Sequence, residues 1–303
     1  MITFADENAT KNTKIMETTI HKTQLEILDM TVNSVDAVSQ RCILIKLTHD
    51  KPLNEGIAPG QFVQVRIDGV PSVFLRRPIS ICMVDYVNNE LWLLVACVGD
   101  GTRHLAQLKR GDRLNCVLPL GNKFYWDFLF DKKVLLIGGG VGVAPLLYMG
   151  EELRLPGVEA TFLLGARTKD DLLLLDEFRK RGRVLVTTED GSCGERGFVT
   201  DHSVLKQEKF DRILSCGPTP MMKAVVRYAR AHDIDCQVSL ENLMACGLGA
   251  CLCCVEKVKT PNKPFSPLGG PSGWWDDPEQ YDVHNLCVCK DGPVFDTRVL
   301  LWG

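Results

Sequence analysis

Four cysteines lie within one short stretch, Cys246-Gly247-Leu248-Gly249-Ala250-Cys251-Leu252-Cys253-Cys254, and two more, Cys287 and Cys289, follow after a long loop. Cys246, Cys251 and Cys254 have the spacing C-x4-C-x2-C, which together with a distant cysteine is the ligand pattern of a plant-type [2Fe-2S] cluster. The small residues between them let the backbone curl closely and direct amide N–H groups at sulfur. The stretch therefore predicts an iron–sulfur module.

Two other interpretations of the stretch stay open. A structural zinc site also uses four thiolates. Cys253 lies between the favoured ligands Cys251 and Cys254, so the ligand set is not unique from the spacing. Zinc sites usually pair two short C-x2-C knuckles, whereas this loop has an x4 gap, which favours iron–sulfur. A disulfide framework is typical of small secreted chains rather than long ones.

The whole chain has the composition of a globular protein. Its 303 residues suggest two or three domains, with 45% hydrophobic and 24% charged residues. A net charge of −3 does not indicate nucleic-acid binding, which is typical of basic domains. No apolar run approaches the roughly 18 residues of a membrane span, and the first residues do not form a signal peptide. Thirteen cysteines without an export signal indicate a reducing compartment, which we expect to be the cytoplasm.

The first half of the chain has the pattern of a β-barrel. Residues 1–22 are polar and lack periodicity, and we expect a disordered tail there. From Gln24 to Leu120, short β-rich runs alternate with turn residues, which predicts an all-β barrel. A helical turn is predicted at His104–Leu108. Examples of the predicted strands are Gln40–Leu47, Gln61–Ile67, Val73–Cys82, Leu91–Val98 and Asp112–Leu118.

The pattern then changes. The apolar strand Lys133–Ile137 leads into Gly138-Gly139-Gly140-Val141-Gly142-Val143-Ala144-Pro145, and strands alternate with helices as far as Leu240. This alternation predicts a parallel α/β sheet. The cysteine module begins at Glu241, and its loop from Thr260 to Pro278 is rich in proline and glycine. We therefore divide the chain into a tail and three domains, residues 23–128, 129–240 and 241–303.

Two segments of the barrel region are candidates for binding an anion. Paired arginines lie in the run Leu75-Arg76-Arg77-Pro78-Ile79-Ser80-Ile81, and guanidinium groups with a hydroxyl suit a pyrophosphate. A solvated barrel rim would explain the arginines equally well. Gly99-Asp100-Gly101-Thr102 could offer backbone N–H groups to a phosphate, although a plain turn is the simpler interpretation.

Two glycine-containing turns follow strands of the α/β region. Gly138–Gly142 opens a helix after a buried strand, as a dinucleotide site requires, but Val143 takes the last position of the G-x-G-x-x-G/A spacing. Cys216-Gly217-Pro218-Thr219-Pro220-Met221 ends a later strand, and Thr219 is predicted to cap the next helix. Both turns lie at carboxyl ends of strands, where α/β sheets bind ligands.

Several other features carry less information. The histidines form no metal-binding motif, and the chain has neither a nucleophile elbow nor a P-loop. Trp274-Trp275 either anchors the long loop or forms an exposed contact patch. The remaining cysteines are predicted to pack in or near apolar strands; they are Cys42, Cys82, Cys97, Cys116, Cys193 and Cys236.

The order of these motifs resembles the ferredoxin-reductase family, and more closely the electron-transfer subunits of NAD-linked dihydroorotate dehydrogenases. The resemblance covers about residues 23–303, from the Arg-Pro-Ile-Ser run to Cys-Lys-Asp-Gly-Pro-Val-Phe after the cysteine loop. It implies a six-stranded antiparallel β-barrel that binds FAD, a parallel α/β domain that binds NAD, and a small C-terminal [2Fe-2S] module.

The resemblance also implies three sets of site residues by position. FAD would contact Arg77, Pro78, Ile79, Ser80, Val95, Ala96 and Cys97, with Gly101 and Thr102 at its phosphates. The nicotinamide nucleotide would face Gly138, Gly139, Gly140, Gly142, Cys216, Gly217 and Pro218. The cluster ligands would be Cys246, Cys251, Cys254 and Cys289, with Cys253 and Cys287 as additional thiols.

The implied function is electron transfer in pyrimidine biosynthesis. An FMN-containing partner subunit would oxidise dihydroorotate, and this chain would pass the electrons through its cluster and FAD to NAD⁺, in a heterotetramer of two of each subunit. No catalytic acid or base is implied. The alternatives are a subunit of another NAD(P)H-linked reductase and a zinc-stapled interaction module. Arg167 and Lys169 could receive a 2′-phosphate, but Asp170 and Asp171 follow directly, which favours NADH.

Overall fold

The computed structural model describes residues 25–126, 132–154, 158–261 and 278–302. The predicted tail and the Trp274–Trp275 pair lie outside these ranges. Within them, no helix is both long and apolar enough to cross a membrane. All thirteen cysteines are free thiols, so the chain has no disulfide framework.

A closed barrel of antiparallel strands forms the first part of the fold, as predicted. Its strands are β1 (Glu26–Ala37), β2 (Cys42–Thr48), β3 (Phe62–Val65), β4 (Arg77–Asp85), β5 (Glu90–Ala96) and β6 (Arg113–Leu120). They follow the order β1-β2-β5-β4-β3-β6 around the barrel, so β3 lies between β4 and β6. Val63 and Val65 point into the barrel core, whereas Phe62 packs in a second core outside it.

Two boundaries predicted for the barrel were wrong. The strand expected from Val73 begins only at Arg77, so Arg76 precedes it. Helix α1 spans Asp100–Leu105 rather than His104–Leu108. It begins early because the Thr102 hydroxyl accepts a hydrogen bond from the Gly99 N–H at 3.1 Å and closes the first turn.

The second part is a sheet of seven strands flanked by helices. Its first six strands are β7 (Lys133–Gly139), β8 (Glu159–Ala166), β9 (Arg183–Thr188), β10 (Glu195–Arg196), β11 (Arg212–Cys216) and β12 (Asp235–Ser239). The helices are α2 (Ala144–Glu152), α3 (Leu175–Arg179), α4 (Val204–Gln207) and α5 (Thr219–Ala231). The six strands are parallel, in the order β10-β9-β8-β7-β11-β12, which places the ends of β7 and β11 side by side at the centre.

The C-terminal segment returns to this sheet. It contains β13 (Val255–Pro261), β14 (Tyr281–Cys287), α6 (Val288–Asp291) and β15 (Val294–Asp296). Strands β13 and β14 form an antiparallel pair, and β15 adds an antiparallel edge to β12. The predicted cysteine module is therefore joined to the α/β sheet by main-chain pairing.

Helix α5 begins differently from the prediction. Thr219 is its first residue and not its cap, because the preceding position is taken by Pro218, which has no side-chain hydrogen-bonding group. The turn before the helix lies against the neighbouring turn after β7, where Gly217 contacts Gly142.

Helix α2 holds the barrel and the sheet together. Tyr148 is fully buried, and its hydroxyl donates a hydrogen bond to the carbonyl of Ile57 at 2.8 Å. Its surroundings raise the pKa of Tyr148 through burial, so the phenol stays protonated as a donor. A second contact joins the barrel to the C-terminal segment: the N–H of Asn122, just after β6, donates to the carbonyl of Gly292, just after α6, at 2.6 Å. The barrel, the sheet and the cysteine module meet along this seam, where the candidate sites lie.

Candidate functional site

The four cysteines proposed as cluster ligands come together as two pairs. Cys246 and Cys251 are linked by a thiol hydrogen bond. Cys254 and Cys289 are linked in the same way, and the backbone N–H of Cys289 donates to Cys254 Sγ at 3.3 Å. Both members of the second pair are buried. Residues that are far apart in the sequence, Cys254 and Cys289, thus share one site.

The loop backbone curls around these sulfurs through residues with positive φ. Gly247 has a φ of +72°, Gly249 one of +79° and Leu252 one of +58°. The curl lets the N–H of Leu248 donate to Cys246 Sγ at 3.3 Å and the N–H of Gly249 donate to Cys289 Sγ at 3.1 Å. The donation from Leu248 lowers the pKa of Cys246 to about 6, and burial raises the pKa of Cys289 to about 12.

The two remaining cysteines of the module occupy different environments. Cys253 is exposed, as is the favoured ligand Cys251, so the C-x4-C-x2-C spacing rather than burial distinguishes the two. Cys287 is buried, and its thiol donates to the carbonyl of Gly249 at 3.9 Å. The structure therefore brings a fifth sulfur, Cys287, to the edge of the site, which sequence spacing alone does not indicate.

The donor set fits a two-iron cluster. Over the described ranges, no three His, Cys, Asp or Glu side chains converge on the position of a single metal ion. Four thiols grouped in two pairs, with backbone amides directed at three of the sulfurs, match the ligation of two irons by two thiolates each. Cys246, Cys251, Cys254 and Cys289 are the residues that would hold such a cluster.

A cavity of about 590 Å³ lies between the barrel, the sheet and the start of the cysteine module. The residues predicted to contact FAD that line it are Arg77, Pro78, Ile79, Ser80, Ala96 and Thr102. Gly142 and Cys216, predicted to face the nucleotide, also line this cavity. We call it the barrel cavity.

Three predicted residues do not line the barrel cavity. Val95 is only 1% exposed and packs in the barrel core. Cys97 follows the end of β5 and is partly buried, which raises the pKa of its thiol. Gly101 lies behind Arg77, since an added Cβ would be 3.2 Å from Arg77 Nε. Gly101 therefore makes room for the arginine that reaches the cavity.

The paired arginines have separate roles. Arg76 donates to the carbonyls of Gln64 and Asn115 at 3.2 and 3.1 Å and to Asn115 Oδ1 at 2.6 Å, so it ties β3 to β6. Arg76 and Arg77 both line the barrel cavity, and Arg77 donates to the carbonyl of Leu75 at 2.7 Å, so it is not held by bonds across the barrel strands as Arg76 is. Of the two, Arg77 has the better placement for a pyrophosphate.

A second cavity of about 690 Å³, which we call the sheet cavity, opens at the carboxyl ends of β7, β8 and β9. Gly139, Gly140 and Pro218 line it, as predicted for a nucleotide site. Gly138 and Gly217 are not among its lining residues. They pack beneath it, since a Cβ on Gly138 would lie 2.9 Å from Leu146 and one on Gly217 would lie 2.6 Å from Met221.

The two glycine turns touch each other directly. A Cβ on Gly142 would lie 2.4 Å from the Cα of Gly217, so the two backbones are in contact. Cys216 is buried at this junction, and burial raises the pKa of its thiol to about 12. The junction separates the two cavities by the thickness of one turn.

Sequence motifs did not identify several lining residues. The segment Glu241–Met244 lines the barrel cavity just before the first cysteine of the module. Arg41, in the turn between β1 and β2, lines the sheet cavity together with Arg167, Asp171 and Glu189. Lys169, considered for a 2′-phosphate, does not line it. Nothing local in the sequence marks Arg41 or Glu241–Met244, because only the packing of distant elements brings them to the cavities.

Two family models match the chain. Residues 136–227 match the oxidoreductase NAD-binding domain, which includes both glycine turns. Residues 241–266 match the iron–sulfur cluster binding domain of dihydroorotate dehydrogenase B, which includes the cysteine loop.

Individual proteins give the same picture along most of the chain. The electron transfer subunit of dihydroorotate dehydrogenase B (NAD(+)) from Fusobacterium nucleatum is 38% identical over 78% of this chain and 84% of its own length. A probable subunit of the same name from Methanocaldococcus jannaschii is 40% identical over 81% of this chain and 79% of its own length.

A solved structure is similar over nearly the whole fold. It is that of an NADH-dependent reduced ferredoxin-NADP oxidoreductase, studied for flavin-based electron bifurcation. The two chains are 30% identical, superpose with a TM-score of 0.72, and each is covered to 90%.

Proposed function

This chain belongs to the family of dihydroorotate dehydrogenase B electron-transfer subunits, and we propose that it carries electrons from the FMN of a dihydroorotate-oxidising partner to NAD⁺. It is an oxidoreductase subunit of pyrimidine biosynthesis with the ferredoxin-reductase fold. Its cofactors are FAD, a [2Fe-2S] cluster and NAD.

The contiguity of the three sites is the observation that carries the proposal. The sheet cavity and the barrel cavity meet at the turn that contains Gly140 and Gly142. The barrel cavity and the cysteine loop are joined by Glu241–Met244, which lines the cavity immediately before Cys246. A flavin, when bound, exchanges a hydride with nicotinamide and single electrons with an iron–sulfur cluster. A flavin cavity between the other two sites is the order that this chemistry requires.

The chain's own residues have defined tasks in this proposal. Arg77 and Thr102 bind the flavin phosphates, and Pro78–Ser80 with Ala96 line the flavin. The backbone at Gly139 and Gly140 approaches the nicotinamide nucleotide without side chains in the way. Cys246, Cys251, Cys254 and Cys289 hold the cluster.

The test is to purify the full chain alone and assay two reactions. The chain should contain FAD, iron and sulfide and should reduce an artificial dye with NADH. It should not reduce NAD⁺ with dihydroorotate until the FMN-containing partner subunit is added, because dihydroorotate is oxidised at the partner's FMN. We expect a complex of two copies of each subunit by mass measurement. Dihydroorotate-dependent NAD⁺ reduction by the chain alone would refute the division of labour.

A second candidate is a subunit of another NAD(P)H-linked reductase with a different electron acceptor. The 90% coverage by the NADH-dependent reduced ferredoxin-NADP oxidoreductase supports it. Isolation of the native complex distinguishes the two functions, since the first requires a dihydroorotate-oxidising subunit and the second a different one. A colourless preparation with zinc in place of iron would instead support an interaction module.

The compartment follows from the same chemistry. The chain keeps all thirteen cysteines as free thiols, and four of them serve the cluster in this proposal. Thiols persist in reducing compartments, and we propose a cytoplasmic location on that ground.

A further inference from the structure

Gln64, in the middle of β3, has a buried side-chain amide without a partner. The residue is 1% exposed, and neither Nε2 nor Oε1 has a hydrogen-bond partner among the described residues. Leaving a buried amide unpaired is destabilising, because the group gives up its hydrogen bonds to water and receives none in return. Such a group in a well-packed barrel strand indicates that something outside the polypeptide completes its hydrogen bonds.

The amide points at the cysteine loop. Alternate residues of a strand face opposite sides, and Val63 and Val65 face the barrel core. Gln64 therefore faces outward with Phe62, which packs in the core that contains Cys254 and Cys289. The neighbour that Gln64 meets there is Gly247, where an added Cβ would lie 2.6 Å from Nε2 and 2.8 Å from Cγ.

The flavin is a less suitable partner for this amide than the cluster. Phe62 and Pro78 line the barrel cavity, but Gln64, which pairs with Pro78 across the two strands, does not. Its carboxamide lies instead beside the first turn of the loop, where the N–H of Leu248 already donates to Cys246 Sγ. The amide nitrogen is one more hydrogen-bond donor beside this turn of the loop.

We propose that Gln64 is a positioning residue for the iron–sulfur cluster. Its Nε2 donates a hydrogen bond to one of the sulfur atoms around the irons, on the part of the loop that holds Cys246. The inference rests on the proposed function, since it requires the cluster. Hydrogen bonds to the sulfurs of a cluster tune its reduction potential. A donor favours the reduced cluster because that form carries the additional negative charge, so Gln64 raises the potential.

The position of Gln64 relates the raised cluster potential to electron transfer between the two sites. Its strand neighbour Pro78 lines the flavin cavity, and its amide lies at the cluster loop, so one residue pair spans the two sites. A higher cluster potential eases reduction of the cluster by the partner. The barrel thus sets a property of the cluster that the cysteine loop holds.

The test uses the full chain with its own FAD and cluster. Gln64→Met keeps the length and packing of the side chain but removes the donor, and Gln64→Glu also adds a negative charge. At a fixed potential, the ratio of reduced to oxidised cluster should fall about threefold to tenfold in Gln64→Met, which at tenfold corresponds to 59 mV, and further in Gln64→Glu. Redox titration followed by electron paramagnetic resonance measures both, and iron and sulfide content should be unchanged in Gln64→Met.

Gln61 supplies a matched control. It is also a buried glutamine of this barrel region, but its amide is satisfied: Oε1 accepts from the N–H of Ala58 at 2.9 Å and Nε2 donates to the carbonyl of Gly121 at 3.0 Å. Gln61→Met should lower the unfolding temperature and leave the cluster potential unchanged. A potential that shifts equally in Gln61→Met and Gln64→Met would overturn the proposal.

A measurement on the unmodified chain covers the case in which Gln64→Met does not assemble. Glutamine labelled with ¹⁵N at the side-chain amide should give a weak nitrogen coupling to the reduced cluster in pulsed resonance experiments. Absence of the coupling, or an unchanged potential in Gln64→Met with full cluster content, would overturn the role of Gln64. A chain without iron and sulfide would instead overturn the proposed function itself.

Discussion

The glycine turns at the sheet edge and the cysteine loop are both short segments of closely packed backbone, yet they obtain their shapes in different ways. Gly142 and Gly217 touch through their backbones, and each turn is fixed between a strand and a helix. The cysteine loop contains neither helix nor strand from Glu241 to Cys254, and its internal contacts are amides directed at sulfur.

The sheet edge therefore obtains its shape from packing within the fold, whereas the cysteine loop obtains its full set of contacts only with its ligand. The sheet edge reaches its final form through packing of apolar strands, so the nucleotide finds a preformed surface. The cysteine loop holds four thiols in pairs and faces the unpaired amide of Gln64, so it is complete only with the group it binds. Substitutions should therefore act on binding at the loop and on packing at the sheet edge.

The largest effect is expected from removing a ligand thiol. Cys254→Ser should lose the cluster, because serine replaces one of the two sulfurs of a buried pair. The same holds for the corresponding variants of Cys246, Cys251 and Cys289. Iron and sulfide analysis measures the loss, and NADH-dependent dye reduction through the flavin should survive it.

The neighbouring thiols are the controls for this prediction. Cys253→Ser should keep the cluster because Cys253 lies outside the C-x4-C-x2-C spacing of the ligands. Cys287→Ser should keep it too, since the thiol of Cys287 contacts the carbonyl of Gly249 rather than a ligand sulfur. Full iron content in Cys289→Ser would show that the fourth ligand has been assigned to the wrong residue.

A smaller effect is expected at the sheet edge. Gly142→Ala places a Cβ 2.4 Å from a backbone atom of Gly217, and overpacking of this kind destabilises a protein by about 3 kcal/mol. Gly140→Ala meets no atom within 4 Å but must adopt a φ of +56°, which costs about 1 kcal/mol. Urea unfolding should rank the two variants in this order, with iron content unchanged in both. The reverse order would mean that backbone conformation, rather than contact between the turns, shapes the site.

The same contrast explains how far sequence reasoning reaches. Ligand spacing is local, so C-x4-C-x2-C predicted that Cys246, Cys251 and Cys254 share a site, whereas Cys289, 35 positions after Cys254, was named through the resemblance. The ends of apolar strands predicted where Gly139, Gly140 and Pro218 lie. The barrel and the α/β sheet were predicted from alternation for the same reason.

What sequence reasoning missed depends on packing between distant segments. Arg41 reaches the sheet cavity from a barrel turn, and Gln64 meets Gly247, which lies 183 positions further along the chain. No local pattern connects either pair of segments. Val95 has the right position for a flavin contact by resemblance, but strand alternation turns it into the barrel core.

Nucleotide preference is a finer property of the preformed surface. Three guanidinium groups line the sheet cavity, from Arg41, Arg167 and Arg227, but the carboxylates of Asp171 and Glu189 line it as well. Those carboxylates disfavour a 2′-phosphate, so we predict a preference for NADH. Asp171→Asn should raise the ratio of NADPH to NADH efficiency about threefold to tenfold, because like charges across a binding site are repulsive.

Asp170 is the control for the charge at Asp171. It is adjacent in the sequence and exposed, but it does not line the cavity, so Asp170→Asn should leave the ratio unchanged. The asparagine at position 171 can still accept the hydrogen bond that the Thr168 hydroxyl donates at 2.9 Å, which isolates the charge. Steady-state dye reduction with each nucleotide measures the ratio. A wild-type preference for NADPH would contradict the prediction.

The smallest effect is a response to pH on the sheet side. His202 follows the turn Val199–Asp201, which helps to line the sheet cavity, and its Nδ1 accepts a hydrogen bond from the N–H of Val204 at 3.0 Å. Burial lowers the pKa of His202, because the charged ring would be removed from water. A proton on Nδ1 would also abolish the hydrogen bond that this atom accepts from the N–H of Val204.

The unfolded chain therefore binds a proton at His202 more readily than the folded chain does. Stability should be fully present above the ordinary histidine value of 6.5 and fall as the pH drops below it towards the folded pKa. His202→Asn offers a similarly placed acceptor that does not titrate, so its urea midpoint should lose this slope below pH 6.5. An identical slope in wild type and His202→Asn would assign the pH response to other groups.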